Sequence, residues 1–104
     1  MKISYNWLKW YIPEVPNPEK LRDIFTYHLC EVESVEVNGD DTIFDINILP
    51  NRAHDLLSHQ GMARELASLL NIKFVDPTPK YKIPESKSTN LKIDVKSDKC
   101  RRYM

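Results

Sequence analysis

The spacing of apolar positions changes several times along the chain, and each change marks an element. Tyr5, Leu8, Tyr11 and Ile12 recur at three- and four-residue intervals, with Trp7 and Trp10 between them. That pattern predicts a short aromatic-rich helix behind Ser4 as its N-cap. Pro13 ends the helix, and Pro16 keeps the following residues extended. Asn17 is a good N-cap, Pro18 suits the first helical position, and Glu19 favours the positive end of the helix dipole. Leu21, Ile24, Phe25 and Leu29 then share one face, which predicts a second helix of about 11 residues.

From Cys30 the period shortens. Val32, Val35 and Val37 are separated by glutamates, and a slip near Ser34 reads as a bulge. Asn38-Gly39-Asp40-Asp41 is a hairpin turn signal, because Asn-Gly readily takes positive φ angles. In the returning strand Phe44, Ile46 and Ile48 point one way, while Asp45 and Asn47 point the other until Pro50. The polar run Asn51 to Asp55 reads as a structured loop. A last helix starts at about Ser58, with Met62, Ala63, Leu66, Ala67, Leu69 and Leu70 as its apolar stripe and Asn71 as C-cap. Gly61 in its first turn costs about 1 kcal/mol relative to Ala, which predicts a close packing contact there. The order is helix–helix–hairpin–helix, an α+β unit over residues 1–75.

Pro77, Pro79 and Pro84 with Ser86, Ser88 and Thr89 give residues 76–89 the composition of a linker. Leu91, Ile93 and Val95 alternate with Lys92, Asp94 and Lys96, a strand pattern. One strand cannot bury its apolar face alone, so residues 90–104 read as the truncated start of a second domain. The chain is expected to be a fragment.

Composition sharpens that division. The chain has 104 residues, 12.2 kDa and no net charge, with 15 basic and 15 acidic side chains. Yet residues 1–79 hold 7 Lys and Arg against 12 Asp and Glu, a net of −5, and residues 80–104 hold 8 against 3, a net of +5. No apolar run approaches the roughly 20 residues of a membrane-spanning helix, and the start lacks a signal-peptide pattern. Cys30 and Cys100 read as reduced thiols rather than a disulfide framework. Membrane, collagenous and secreted disulfide-scaffold classes are excluded, and a cytoplasmic location is expected.

The chemistry-bearing residues are few. Gly39 and Gly61 are the two glycines, which excludes a Gly-rich phosphate loop. His28, Cys30, His54 and His59 lack the spacing of a zinc finger, so no metal is expected, and Ser58-His59 is not a hydrolytic pair. Asp40, Asp41 and Asp45 read as a solvated turn beside a polar strand face. Trp7 and Trp10 exceed what so small a helix can bury, which favours a subunit contact over packing alone, with base stacking as the alternative use. Arg52, just beyond the polar face of Asp45 and Asn47, is either an internal clamp or, with His54, a phosphate contact. Arg64 and Glu65 pose the same choice. Lys96, Lys99, Arg101 and Arg102 alternate with apolar residues, as on the solvent face of a strand.

Two blocks carry a resemblance. Phe44-Asp45-Ile46-Asn47-Ile48-Leu49-Pro50-Asn51-Arg52, then Asp55, Leu57-Ser58-His59, Gly61 and Ala63-Arg64-Glu65, resembles the beta subunit of bacterial phenylalanyl-tRNA synthetase. Lys2-Ile3-Ser4-Tyr5-Asn6-Trp7-Leu8-Lys9 and Glu31-Val32-Glu33-Ser34-Val35-Glu36 match that subunit as well. The resemblance implies a cytosolic enzyme of two alpha and two beta subunits that attaches phenylalanine to its tRNA with ATP and magnesium. It implies that the alpha subunit carries the synthetic site, and that the beta subunit serves assembly, tRNA binding and editing. It places this chain in the N-terminal domain, a helical unit with a hairpin, loosely winged-helix-like and not catalytic. Cys100-Arg101-Arg102-Tyr103 would then enter the editing domain. Most members insert an oligonucleotide-binding fold between the hairpin strands; here that gap is only Asn38 to Asp41. The subunit is therefore either a short form or one whose insert was removed by design, and in both cases tRNA binding through that fold is not carried over. The candidate contacts to tRNA or to the alpha subunit are Trp7, Trp10, Arg52, His54 and Arg64, with no cofactor held by this fragment. Two alternatives stand beside this reading: a stand-alone winged-helix-like nucleic-acid module, and a protein-docking adaptor using the aromatic N-terminal helix.

Overall fold

Three residues hidden under the helical pattern of the N-terminus, Lys2–Ser4, form strand β1 in a computed structural model that describes residues 1–82 and 94–99. β1 pairs antiparallel with β3 (Asp41–Asn47), setting Ile3 opposite Phe44. β3 pairs on its other edge with β2 (Glu31–Asn38), so the sheet order is β1-β3-β2. The register shifts between Val32 and Ser34, where the sequence marks a bulge. At the hairpin tip Asn38 is paired with Asp41, leaving Gly39-Asp40 as a two-residue loop. Gly39 has φ +63° while no aspartate there has positive φ. A glycine first, followed by an ordinary residue, is the type II′ arrangement and not the type I′ form that Asn-Gly suggests.

The helix caps follow the sequence. Ser4 Oγ accepts the Trp7 N–H at 3.0 Å and opens α1 (Tyr5–Tyr11); Asn17 Oδ1 accepts the Lys20 N–H at 3.0 Å and opens α2 (Pro18–Ile24). α2 runs on into a π-helical turn, Phe25–Leu29, closed by the Cys30 N–H donating to the Phe25 carbonyl at 2.9 Å. The polar run after Pro50 is more regular than its composition suggests. A 3₁₀ turn, Pro50–Arg52, leads directly into α3 (Ala53–Leu56), because the fully buried Leu56 pins this segment to the core. Ser58 Oγ then caps α4 (His59–Leu70) through the Gly61 N–H at 2.9 Å. α4 ends in a Schellman arrangement: Asn71 takes φ 51°, and Ile72 N–H reaches back to the Ala67 carbonyl at 3.0 Å.

One apolar core lies between the sheet and the helices. Ile3, Phe44 and Ile46 face Leu8 and Ile12 of α1, Leu21 and Phe25 around α2, and Met62 and Leu66 of α4, all within one buried cluster. Phe25 meets Phe44 edge-on, with centroids 5.4 Å apart and planes at 68°. Among the described residues no polar or charged side chain is buried. Leu69, on the predicted stripe, is exposed instead, while Met62, Ala63, Leu66 and Ala67 form the buried face. Beyond α4 the chain returns to α1: Phe74 stacks on Tyr11 at 5.9 Å, and the Val75 N–H donates to the Tyr11 carbonyl at 2.7 Å.

Of the strand expected around Leu91, Ile93 and Val95, residues up to 93 lie outside the described residues, and 94–97 carry no regular secondary structure. Cys100 to Tyr103 also lie outside them. No helix among the described residues is long and apolar enough to cross a membrane.

Candidate functional site

The start of α1 is the best-organised polar junction. Asp41, first residue of β3, accepts the Ser4 hydroxyl on Oδ2 at 2.5 Å and the backbone N–H groups of Asn6 and Thr42 on Oδ1 at 2.9 and 2.8 Å. Burial alone would raise its carboxyl. The Ser4 hydroxyl, the two backbone N–H groups and the Lys9 charge together hold it below the ordinary carboxylate value. A carboxylate here satisfies N-terminal donors that the helix cannot pair internally.

His59, the first residue of α4, completes the junction. Its Nε2 accepts the Ser4 backbone N–H at 2.9 Å, and its ring stacks on Trp7 with centroids 4.1 Å apart and planes 18° from parallel. Burial lowers its affinity for a proton, more than the Asp41 charge raises it, so the imidazole stays neutral and free to accept. Because the folded chain binds this proton less readily than the unfolded chain, acid favours unfolding. Stability contributed by neutral His59 is present above its unfolded value of 6.5 and is lost as pH falls through and below it. The expected result is a melting temperature that drops between about pH 7.5 and 5.5, with a smaller drop in His59→Gln. Equal pH dependence in the two proteins would remove His59 as the cause.

Trp7 and Trp10 lie on α1 as expected and remain 48% and 59% exposed. With Ser4 and Asn6 they line an open concavity of about 340 Å³. One face of Trp7 is already covered by His59, so Trp10 is the freer ring. Lys9 Nζ sits 4.9 Å from the centroid of the Tyr5 ring.

Arg52 is held inside the unit. Its Nη2 reaches Asp55 Oδ2 at 2.6 Å and Glu65 Oε2 at 3.1 Å, and its Nε donates to the same Asp55 carboxylate at 3.0 Å. These bonds raise the guanidinium further and lower the Asp55 carboxyl. They tie the 3₁₀ turn to α3 and α4. Asp45, the neighbour that the sequence suggests, is instead engaged by the Met1 amino group at 3.2 Å. His54 is exposed, with Nε2 3.7 Å from Asp55 Oδ1, and Arg64 lies with Cζ 5.4 Å from the Phe74 ring centroid. Cys30 lines a mixed concavity with Arg52 and Leu56. Burial pushes its thiol up to about 11, so it stays protonated and unreactive at neutral pH.

Four of the five candidate residues thus form two groups, Trp7 with Trp10 on α1, and Arg52 with His54 ahead of α4, while Arg64 stands apart on α4 against Phe74. Among the described residues no hydrogen bond, ion pair or ring contact joins the groups. His59 was not legible as a site residue: a histidine after a serine cap carries no spacing signal for a stack on a tryptophan 52 positions away. Among the described residues no three His, Cys, Asp or Glu gather as a metal set.

The chain is similar in sequence to proteins named phenylalanine–tRNA ligase beta subunit. That of Corynebacterium diphtheriae is 41% identical over 76 residues, covering 64% of this chain and 9% of the relative. Those of Fusobacterium nucleatum subsp. nucleatum and Rhodopirellula baltica are 43% and 32% identical over 70 and 81 residues, covering 65% and 78% of this chain. The match amounts to 9% and 12% of those two relatives, so the chain spans about a tenth of the length of the proteins it resembles. No protein-family model matches the chain, and no solved structure matches it.

Proposed function

We propose that the chain is the N-terminal part of a phenylalanine–tRNA ligase beta subunit, serving assembly and tRNA placement in ATP-dependent charging of tRNA with phenylalanine. The observation that carries this reading is the identity of 41% and 43% to two such subunits over nearly two thirds of the chain. In this reading residues 1–75 are a docking unit, 76–89 a linker, and 90–104 the opening of the editing domain. The partners are the alpha subunit and tRNA. On the same reading the chain is not catalytic by itself; among the described residues Asp41 is engaged at the start of α1, Asp55 in the ion pair with Arg52, and the Cys30 thiol is pushed up by burial. ATP and magnesium, implied by the resemblance, are in this reading held by other parts of the full enzyme. The two-residue turn at Gly39-Asp40 fits the short form of the subunit, without a domain inserted in the hairpin.

The exposed ring of Trp10 supports a docking role, since a tryptophan left in water is a candidate anchor for a partner surface. The reading predicts that the gene continues in frame past Met104 for several hundred codons. Sequencing through that position checks it, and a stop codon directly after Met104 would overturn the fragment reading.

A further inference from the structure

A second concavity, of about 320 Å³, is lined by Lys9, Trp10 and Pro13 at the end of α1 and by Pro77, Lys80 and Tyr81 in the returning chain. It combines two aromatic rings that are 59% and 60% exposed, Trp10 and Tyr81, with the ammonium group of Lys80. Lys9 lines it with its Nζ held 4.9 Å from the Tyr5 ring centroid. The returning segment is anchored by its backbone. The Val75 N–H donates to the Tyr11 carbonyl at 2.7 Å, and a 3₁₀ turn, Thr78–Lys80, brings the Tyr81 N–H to the Thr78 carbonyl at 3.0 Å. Asp76, the nearby carboxylate, is turned to its own loop, accepting the Thr78 N–H at 2.9 Å and its hydroxyl at 2.6 Å.

Open rings beside an ammonium group suit unpaired bases joined by phosphates: each base has a face to stack, and each linkage has a negative charge. A duplex hides its base faces and presents a dense line of phosphates, which residues 1–79, at net −5, would repel overall. The local pairing of lysine with aromatic ring therefore selects a short single strand. We propose that this concavity binds single-stranded RNA, with one base on Trp10, the next on Tyr81, and the phosphate between them at Lys80. The proposal rests on the tRNA-placement reading and names the surface that would carry it.

The test uses the 104-residue chain and a labelled oligoadenylate of about eight nucleotides, followed by anisotropy and tryptophan quenching. Micromolar, salt-sensitive binding is expected. Trp10→Ala weakens it about tenfold while Trp10→Phe retains most of it, and Lys80→Ala lowers the salt slope by about 0.7. Absence of binding, affinity unchanged by Trp10→Ala, tighter binding of duplex RNA, or preference for an acidic peptide would each overturn the proposal. If the same chain, within its full subunit, still co-purifies with an alpha subunit, only the RNA surface fails. If that association is lost as well, the proposed function fails with it.

Discussion

Leu66→Asp is expected to abolish the cooperative unfolding of residues 1–75. Leu66 is fully buried in α4, and the core around it holds no polar or charged side chain among the described residues that could pair with a carboxylate. Loss of the leucine side chain alone costs about 2–5 kcal/mol, as Leu66→Ala would show. Burying a carboxyl without a partner adds several kcal/mol, whether it stays charged or takes up a proton. A unit of about 75 residues has about 4–11 kcal/mol in total, so the sum reaches or exceeds what is available. Far-UV circular dichroism with a thermal scan checks it. A cooperative melt retained by Leu66→Asp would mean that this face of α4 is not the core face.

The second large effect comes from a much smaller change. In most helices Gly→Ala stabilises by about 1 kcal/mol, because alanine loses less backbone freedom on folding. Gly61→Ala should do the reverse. A Cβ placed on Gly61 would overlap the backbone carbonyl oxygen of Asp55, with the Asp55 carbonyl carbon 3.0 Å away and Ser58 Oγ at 3.1 Å. Neither peptide can rotate aside cheaply. Ser58 Oγ is the cap of α4, and the Asp55 side chain holds Arg52. Relief therefore displaces α3 and with it the buried Leu56. The expected loss is about 3 kcal/mol, at the upper end for overpacking, with Gln60→Ala near neutral as the control. Urea titration reads the sign directly: a stabilised Gly61→Ala would contradict the close approach of α3 to α4.

Periodicity and caps made most of this fold legible. The helices behind Ser4, Asn17 and Ser58, the bulge near Ser34 and the tight approach at Gly61 each have a local physical cause, a cap oxygen, a slipped alternation or a missing Cβ. What local reasoning missed is long-range. Lys2–Ser4 is too short to show a strand period, and it becomes a strand only because β3 offers an open edge. Asn51 to Asp55 looks polar throughout, yet Leu56 at its end anchors a helix. The Arg52 clamp was foreseeable as a clamp, but its partners lie on α3 and α4 and not on the strand, since the Met1 amino group takes Asp45. The stack of His59 on Trp7 joins residues 52 apart and has no sequence signature. Val35 and Val37 alternate like core residues and share the core face with Phe44. Near the hairpin tip they outrun the helices that cover it, and Val37 stays 80% exposed.

The proposed role in phenylalanine charging can be tested in one experiment on the native protein. An antibody raised against the 104-residue chain is used to precipitate its antigen from an extract of the source organism, and the pellet is assayed for charging of tRNA with phenylalanine. The account predicts ATP-dependent charging in the pellet, carried with a polypeptide several times heavier than 12.2 kDa. A pellet without that activity, whose recognised polypeptide is no heavier than 12.2 kDa, would contradict it.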